Sequence, residues 1–254
     1  MTSLSLRALA GLPEVTPGMP LAPLILQALR EADCTLGPGD GLLIGQKIIS
    51  KSENRFVDLD AFPPSPRAQE LASHCRKDPR LVEAILREST QVVRCAPNVL
   101  IVRHRLGFVV ANAAIDQSNV PGGADRALLL PLDPDASAAR LREELRAATG
   151  IAPAIVITDS FGRPWRQGVC GTAIGSAGLR ALHDRRGTPD RSGRPLQVTQ
   201  VAVADGLAAA AVLLMGEAAE GRPVVLARGL PPELLSESQN AAALLRPLHE
   251  DLFQ

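Results

Sequence analysis

The 254-residue chain reads as a mixed α/β protein, α+β in its layout, and three observations carry that reading. Apolar residues make up 46% of the chain, enough to bury a sizeable core. Gly41-Leu42-Leu43-Ile44 and Ala154-Ile155-Val156-Ile157-Thr158 are near-continuous apolar runs of strand length, the pattern of strands covered on both faces. Around them lie segments with helical spacing, several of which carry their own start or stop signals. No internal repeat and no long linker interrupts the sequence. Residues 1–254 are therefore expected to form a single domain, with room for two lobes around a shared core.

The elements follow in order. The N-terminus suggests a strand or loop ending at Gly11-Leu12-Pro13. Leu21, Leu24, Ile25, Ala28 and Leu29 share one face of a helix over 21–32. A Gly37-Pro38-Gly39-Asp40 turn feeds the first buried strand. Ser65 is placed to cap a helix running through Cys75. Asp78 and Pro79 open another, as N-cap and first helical residue, with Leu81, Ile85 and Leu86 on its apolar face. Residues 99–102 and 108–111 read as two strands around Arg105-Leu106-Gly107. Asp135-Ala136-Ser137 is expected to cap a helix over 138–148, closed by Gly150. Residues 198–203 alternate weakly as a strand, 204–215 form an Ala-rich helix ended by Gly216, and 224–226 form the last strand.

Composition excludes several functions. Lys plus Arg and Asp plus Glu are both 27, so no net field recruits nucleic acid or an anionic membrane. Aromatic residues are 2% of the chain and Tyr is absent, so there is no stacking platform for single strands. Cys34, Cys75, Cys95 and Cys170 are scattered without a CxxC pair, which fits a reducing compartment. The first residues are broken by Arg7 and Pro13 and make a poor signal peptide. No stretch reaches the ~20 apolar residues of a membrane span. The expectation is a cytoplasmic protein whose anionic ligands are held by a local site.

Four local signals carry chemistry. Asp116, in Asn112-Ala113-Ala114-Ile115-Asp116-Gln117-Ser118-Asn119, follows an apolar strand and supplies a carboxylate three residues before an amide; a turn held by Asx hydrogen bonds is the alternative. Asp159-Ser160 ends the second buried run, a carboxylate and a hydroxyl suited to Mg²⁺ or Mn²⁺, or else a cap. Arg163 and Arg166 follow it as guanidinium groups for phosphate or carboxylate, or as parts of a solvated loop. Residues 215–222 put Gly216 and Gly221 beside Glu217 and Glu220 at a helix end. Lys47 and Lys51, after the first buried strand, are candidate phosphate partners or a solvated pair. Walker A, GxGxxG, HExxH, zinc-type Cys/His spacing and GxSxG patterns are all absent.

The order of these signals resembles one family. The stretches GLPEVTPG, GDGLLIGQKIISKSENR, KDPRLVEAILREST, GFVVANAAIDQSNV, LLPLDPDASAARLR, ITDSFGRPWRQG, AIGSAGL, VTQVAVAD, LLMGE and ARGL, spread over about residues 11–230, are similar to those of the F420-0:L-glutamate ligases, the F420 gamma-glutamyl ligases. The resemblance implies a family-specific fold and an intertwined homodimer. It implies a GTP-dependent ligase that adds L-glutamate to coenzyme F420-0 through an acyl phosphate, releasing GDP and phosphate. By the same resemblance Leu12, Pro13, Glu14 and Val15 lie along GTP, and Gln46, Lys47, Lys51 and Asn119 contact it. Met215, Gly216, Glu217, Gly221 and Arg222 form a second nucleotide loop. Asp116, Asp159, Ser160 and Glu217 hold two divalent ions, Mg²⁺ or Mn²⁺, with K⁺ a further candidate. Asp116, Asp159 and Lys51 are the expected catalytic groups, with Arg163 and Arg166 taking anionic parts of the substrates. Departures are Met19 and Pro20, where the family commonly has two acids, and Gly206, where it commonly has Glu. They motivate two alternatives: a catalytically weak F420- or nucleotide-binding homologue, and a ligase for another acidic acceptor. The C-terminal nitroreductase-like domain of some relatives is expected to be absent.

Overall fold

The computed structural model describes residues 3–118 and 120–251. In chain order the regular elements begin β1 (Ser5–Leu9), α1 (Leu21–Glu31), β2 (Gly41–Gly45), α2 (Gln46–Ser52), β3 (Phe56–Asp58), α3 (Pro66–Cys75) and α4 (Pro79–Arg87). They continue with β4 (Ser89–Ala96), β5 (Val99–His104), β6 (Val109–Ala111), β7 (Arg126–Leu128), α5 (Pro134–Thr149), β8 (Ala154–Arg163) and β9 (Arg166–Ala177). The last are β10 (Leu182–Asp184), β11 (Gln200–Ala202), α6 (Val203–Met215) and β12 (Val224–Arg228).

The mixed α/β expectation holds, with several sheets and helices segregated in the α+β manner. The central sheet has the order β1-β12-β2-β8-β9. Only β2 and β8 run parallel; every other neighbour is antiparallel. Alternation along its strands serves two cores. Leu42, Ile44, Ile155 and Ile157 face α1 and α5, whereas Leu43, Val156, Val225 and Ala227 face α6. Side chains alternate across a strand, so a sheet covered on both sides needs apolar residues at successive positions. A third core joins α3 and α4 to β5 through Leu71, Val82, Ile85, Leu100 and Val102.

Several local expectations are met. The Ser65 hydroxyl accepts from Ala68 N at 3.2 Å, and Asp78 accepts from Arg80 N at 2.8 Å, each ahead of a Pro in the first helical turn. One cap is corrected. Helix α5 starts at Pro134, and its cap is Asp133, whose carboxylate accepts from Ala136 N at 2.9 Å. Asp135 turns away instead and accepts from Ser176 N on β9 and Ala241 N in the C-terminal segment. The strand expected over 198–203 is shorter, because Val203 already belongs to α6. Helix α2 and strands β3, β4, β7, β9 and β10 are additions to the sequence reading. Among the described residues, no helix is long and apolar enough to cross a membrane.

Candidate active site

The carboxyl ends of the parallel pair β2 and β8 open into a cleft of about 550 Å³. Strand ends of this kind leave backbone and side-chain groups facing outward beside a helix start. At Gly45 the chain passes directly from β2 into α2, and Gly45 N is held by Pro223 O at 2.8 Å. Helical geometry then puts residues four apart on one face. Lys47 and Lys51 both line the cleft, as does Gln46, which is largely buried and accepts from the Ser50 hydroxyl at 2.8 Å.

The opposite walls come from distant parts of the chain. Leu12, Pro13, Glu14 and Val15 form one side; Met215, Gly216, Glu217, Gly221 and Arg222 form another. Asp116, Asp159 and Ser160 complete the lining. Asn119 lies outside the described residues. Arg163 and Arg166 do not reach the cleft. They pair across the turn of the β8–β9 hairpin and are exposed there, with Arg163 Nη2 donating to Gln167 O at 3.3 Å.

The side chains within the cleft are mutually engaged. Lys47 Nζ sits 2.5 Å from Asp116 Oδ2 and donates to the Ser118 hydroxyl at 3.1 Å. Asp116 Oδ1 also accepts from Ser118 N and Oγ, each at 2.7 Å, so the Asx turn and the clefted carboxylate coexist. Burial opposes ionisation of Asp116, but the Lys47 and Ser118 hydrogen bonds outweigh it and hold the carboxyl below its ordinary value. Asp159 accepts from Ser160 N and feels the Lys47 charge, but these do not offset its burial. Burial, with the charges of Asp116 and Glu217 added, pushes its carboxyl up to about 7. Ser160 Oγ donates to Glu217 Oε1 at 2.6 Å, joining the strand end to the late loop. Lys51 is buried apart from its contact with the exposed Glu14 carboxylate.

The donor set consists of hard oxygens, the chemistry that suits Mg²⁺ or Mn²⁺. Among the described residues, however, no three His, Cys, Asp or Glu side chains stand together as a ready-made metal shell. The Lys47 ammonium occupies Asp116, the place a cation would contest. Ser118 was missed in the sequence reading although it lies in the same stretch; its signal is the Asp-x-Ser spacing that closes an Asx turn.

The fold and the cleft together define an α+β protein that gathers carboxylates, lysines and a glycine loop at the end of a parallel strand pair. The sequence profile described as F420-0:Gamma-glutamyl ligase matches residues 11–229, and the chain belongs to that family. It is 45% identical over 251 residues to a coenzyme F420:L-glutamate ligase of Methanothermobacter thermautotrophicus, covering 99% of both chains. It is also 45% identical to the protein of that name in Methanopyrus kandleri, covering 95% of this chain and 94% of the relative. Its counterpart in Archaeoglobus fulgidus is 44% identical, with 87% and 85% covered.

Proposed function

We propose that the protein is a GTP-dependent ligase that joins L-glutamate to coenzyme F420-0 in γ linkage. One observation carries the proposal. Asp116, Asp159, the Ser160–Glu217 pair, Lys47 and Lys51 converge on a single cleft walled by residues 12–15 and 215–223. The relatives named as F420:L-glutamate ligases support the reaction class.

A carboxylate does not accept an amine without activation. In this reading the acceptor carboxylate attacks the γ-phosphorus of GTP; the bond to the β,γ-bridging oxygen breaks and GDP leaves. The glutamate amine then attacks the acyl carbon, the amide bond forms, phosphate leaves and the amine gives up a proton. Lys51, buried and held by Glu14, is positioned to exchange that carboxylate for a phosphate oxygen. Lys47 can do the same when Asp116 turns to a metal ion. Asp116, Asp159, Ser160 and Glu217 are the residues that would hold Mg²⁺ or Mn²⁺. When bound, such ions neutralise phosphate oxygens as charge develops in transfer. The occupancy of two sites, a K⁺ ion, the homodimer and a cytoplasmic location belong to the same proposal. Arg163 and Arg166 enter it as anion contacts supplied from outside the cleft.

Gly206 does not favour the weak-homologue alternative. It is exposed on α6, does not line this cleft, and has open space where a side chain would stand. The test is GDP release from purified protein with GTP, Mg²⁺ or Mn²⁺, L-glutamate and F420-0, with mass spectrometry of the product. The expected result is a glutamate mass gain that disappears in Asp116→Ala and Asp159→Ala. Tight binding of GTP or F420-0 without turnover would establish the binding-protein alternative instead.

A further inference from the structure

A second cleft, of about 930 Å³, runs along the open edge of β9 and takes no part in the site above. Its position is set by strand register. Asp159 on β8, in the first cleft, is the cross-strand partner of Thr172 on β9, which lines the second. Directly paired residues project from the same face of a sheet, about 5 Å apart. The two clefts therefore meet at the Asp159–Thr172 pair. From there the second cleft leads away past Ile174 to Ser176, between the start of α5 and the C-terminal segment.

The lining shows what this cleft suits. Leu106, Phe108 and Ile174 give it apolar surface, and Gln239 and Asn240 give it amide groups. Ser176 is among the lining residues and 1% exposed; its hydroxyl, on the α6 face of β9 with its cross-strand partner Val156, has no hydrogen-bond partner among the described residues. A buried hydroxyl without a partner costs stability unless something supplies one. Among the described residues that line it, no free cation stands ready for a polyphosphate. Arg142 is committed to Glu237 through bonds of 2.9 and 2.6 Å, and Arg105 to Glu88 at 3.0 Å. Asp135 and Asp205 are spent on the edge N–H groups of Ser176 and Ala173. L-glutamate is far too small to fill the space, whereas a cofactor-sized ligand suits it.

We propose that this second cleft holds the acceptor: its flat, flavin-like heterocycle lies against Phe108 and Ile174, and its tail runs along β9 to present the terminal carboxylate at Thr172, beside Asp159. The assignment rests on the ligase reading above. It gives the two co-substrates separate clefts that share one pair of residues, with the reacting carboxylate delivered where they meet.

The test fills the cleft without touching the nucleotide site. Ala139 is exposed on α5 and lines only the second cleft, so Ala139→Trp adds bulk with little risk to folding. Ser176→Ala is the milder companion. F420-0 binding is read from cofactor fluorescence, and the KM values for F420-0 and GTP from the coupled assay. The expected result is at least a tenfold rise in the F420-0 Kd and KM for Ala139→Trp, with the GTP KM unchanged and a cooperative melt retained. An unchanged F420-0 KM in an active Ala139→Trp protein overturns the cleft assignment and leaves the ligase reading standing. Wild-type protein that binds F420-0 without ligating it, and loses that binding in Ala139→Trp, upholds the cleft and overturns the ligase reading. A wild type that neither binds nor ligates F420-0 overturns both.

Discussion

Asp159 and Asp116 show at the scale of single residues how one cleft can set two carboxylates apart. Lys47 and Ser118 keep Asp116 ionised, whereas burial beside two other acids raises Asp159 to about 7. The consequence for stability has a definite sign. Below the ordinary value of 3.8 the Asp159 carboxyl is protonated in both folded and unfolded chains and contributes no difference. Between there and about 7 the unfolded chain releases the proton while the folded chain keeps it, so folding stability falls as pH rises through that window. Above it the full penalty stands. At about 1.4 kcal/mol per pH unit, the shift from 3.8 to about 7 sets a ceiling of about 4 kcal/mol on that penalty. Asp159→Asn is accordingly expected to raise the melting temperature of the metal-free protein at pH 8, with little effect at pH 4, while abolishing turnover. Equal pH dependence of the melting temperature in the two proteins would show that the raised carboxyl is not the cause. A second residue-scale feature lies just before Asp116. Asn112, Ala113 and Ala114 all have left-handed φ, at 52°, 54° and 53°. L-residues lose about 1 kcal/mol each there and glycine does not. Ala114→Gly should therefore be neutral or stabilising in chemical denaturation, whereas a loss of about 1 kcal/mol would contradict the strain.

Glycine decides matters differently where elements pack. A Cβ at Gly171 on β9 would lie 2.2 Å from Ala208 O on α6, and one at Gly175 would lie 2.5 Å from the backbone of Pro134 on α5. The two helices press on opposite faces of the same strand, and a methyl group there must separate backbone from backbone. Gly171→Ala should cost about 1–3 kcal/mol by overpacking. Gly206→Ala, on the solvent side of α6, should instead gain about 0.5–1 kcal/mol from helix propensity. Urea melts of the two variants test the contrast, and a shift of the same sign in both would refute it. The same strand explains what the sequence hid. Strand β9 is rich in Gly, Ala, Ser and Thr because it is pressed from both sides, so it lacks the branched apolar alternation that marks a strand. Helix α2 was hidden for another reason: at seven residues it is too short to show an apolar stripe. Among the elements legible beforehand, α3 and α4 carry a cap and proline, α1 a one-face apolar stripe, and β2 and the core of β8 a long apolar run; α5, α6, β5, β6 and β12 were legible as well, with bounds that shift by a few residues.

At the scale of the whole molecule, the cleft is assembled from stretches around residues 12–15, 45–51, 116–118, 158–160 and 212–223. Its membership was legible as a set of separate acids, lysines and glycines and through a family resemblance; the pairings were not. Lys47 with Asp116, Lys51 with Glu14 and Ser160 with Glu217 are separated by 69, 37 and 57 positions, counted directly from their numbers, and no local pattern announces contacts that long. Such a site couples its ligand to the global fold, because unfolding any one wall dismantles it. A ligand that binds only the folded chain adds about 2.7 kcal/mol at a hundred times its Kd. For a chain of this length that corresponds to a rise of about 5–10 °C in melting temperature. GTP with Mg²⁺ or Mn²⁺ is expected to give that rise, and removal of the metal with a chelator to cancel most of it. In Asp116→Ala the metal-dependent part should vanish while a smaller, metal-independent shift from Lys51 and the 215–223 loop persists. In Lys51→Met the nucleotide shift should shrink whether or not metal is present. Differential scanning fluorimetry over a nucleotide titration separates these cases. A full shift in Asp116→Ala would mean that the nucleotide is held elsewhere, and the convergence of these five stretches would then have to be explained by something other than GTP.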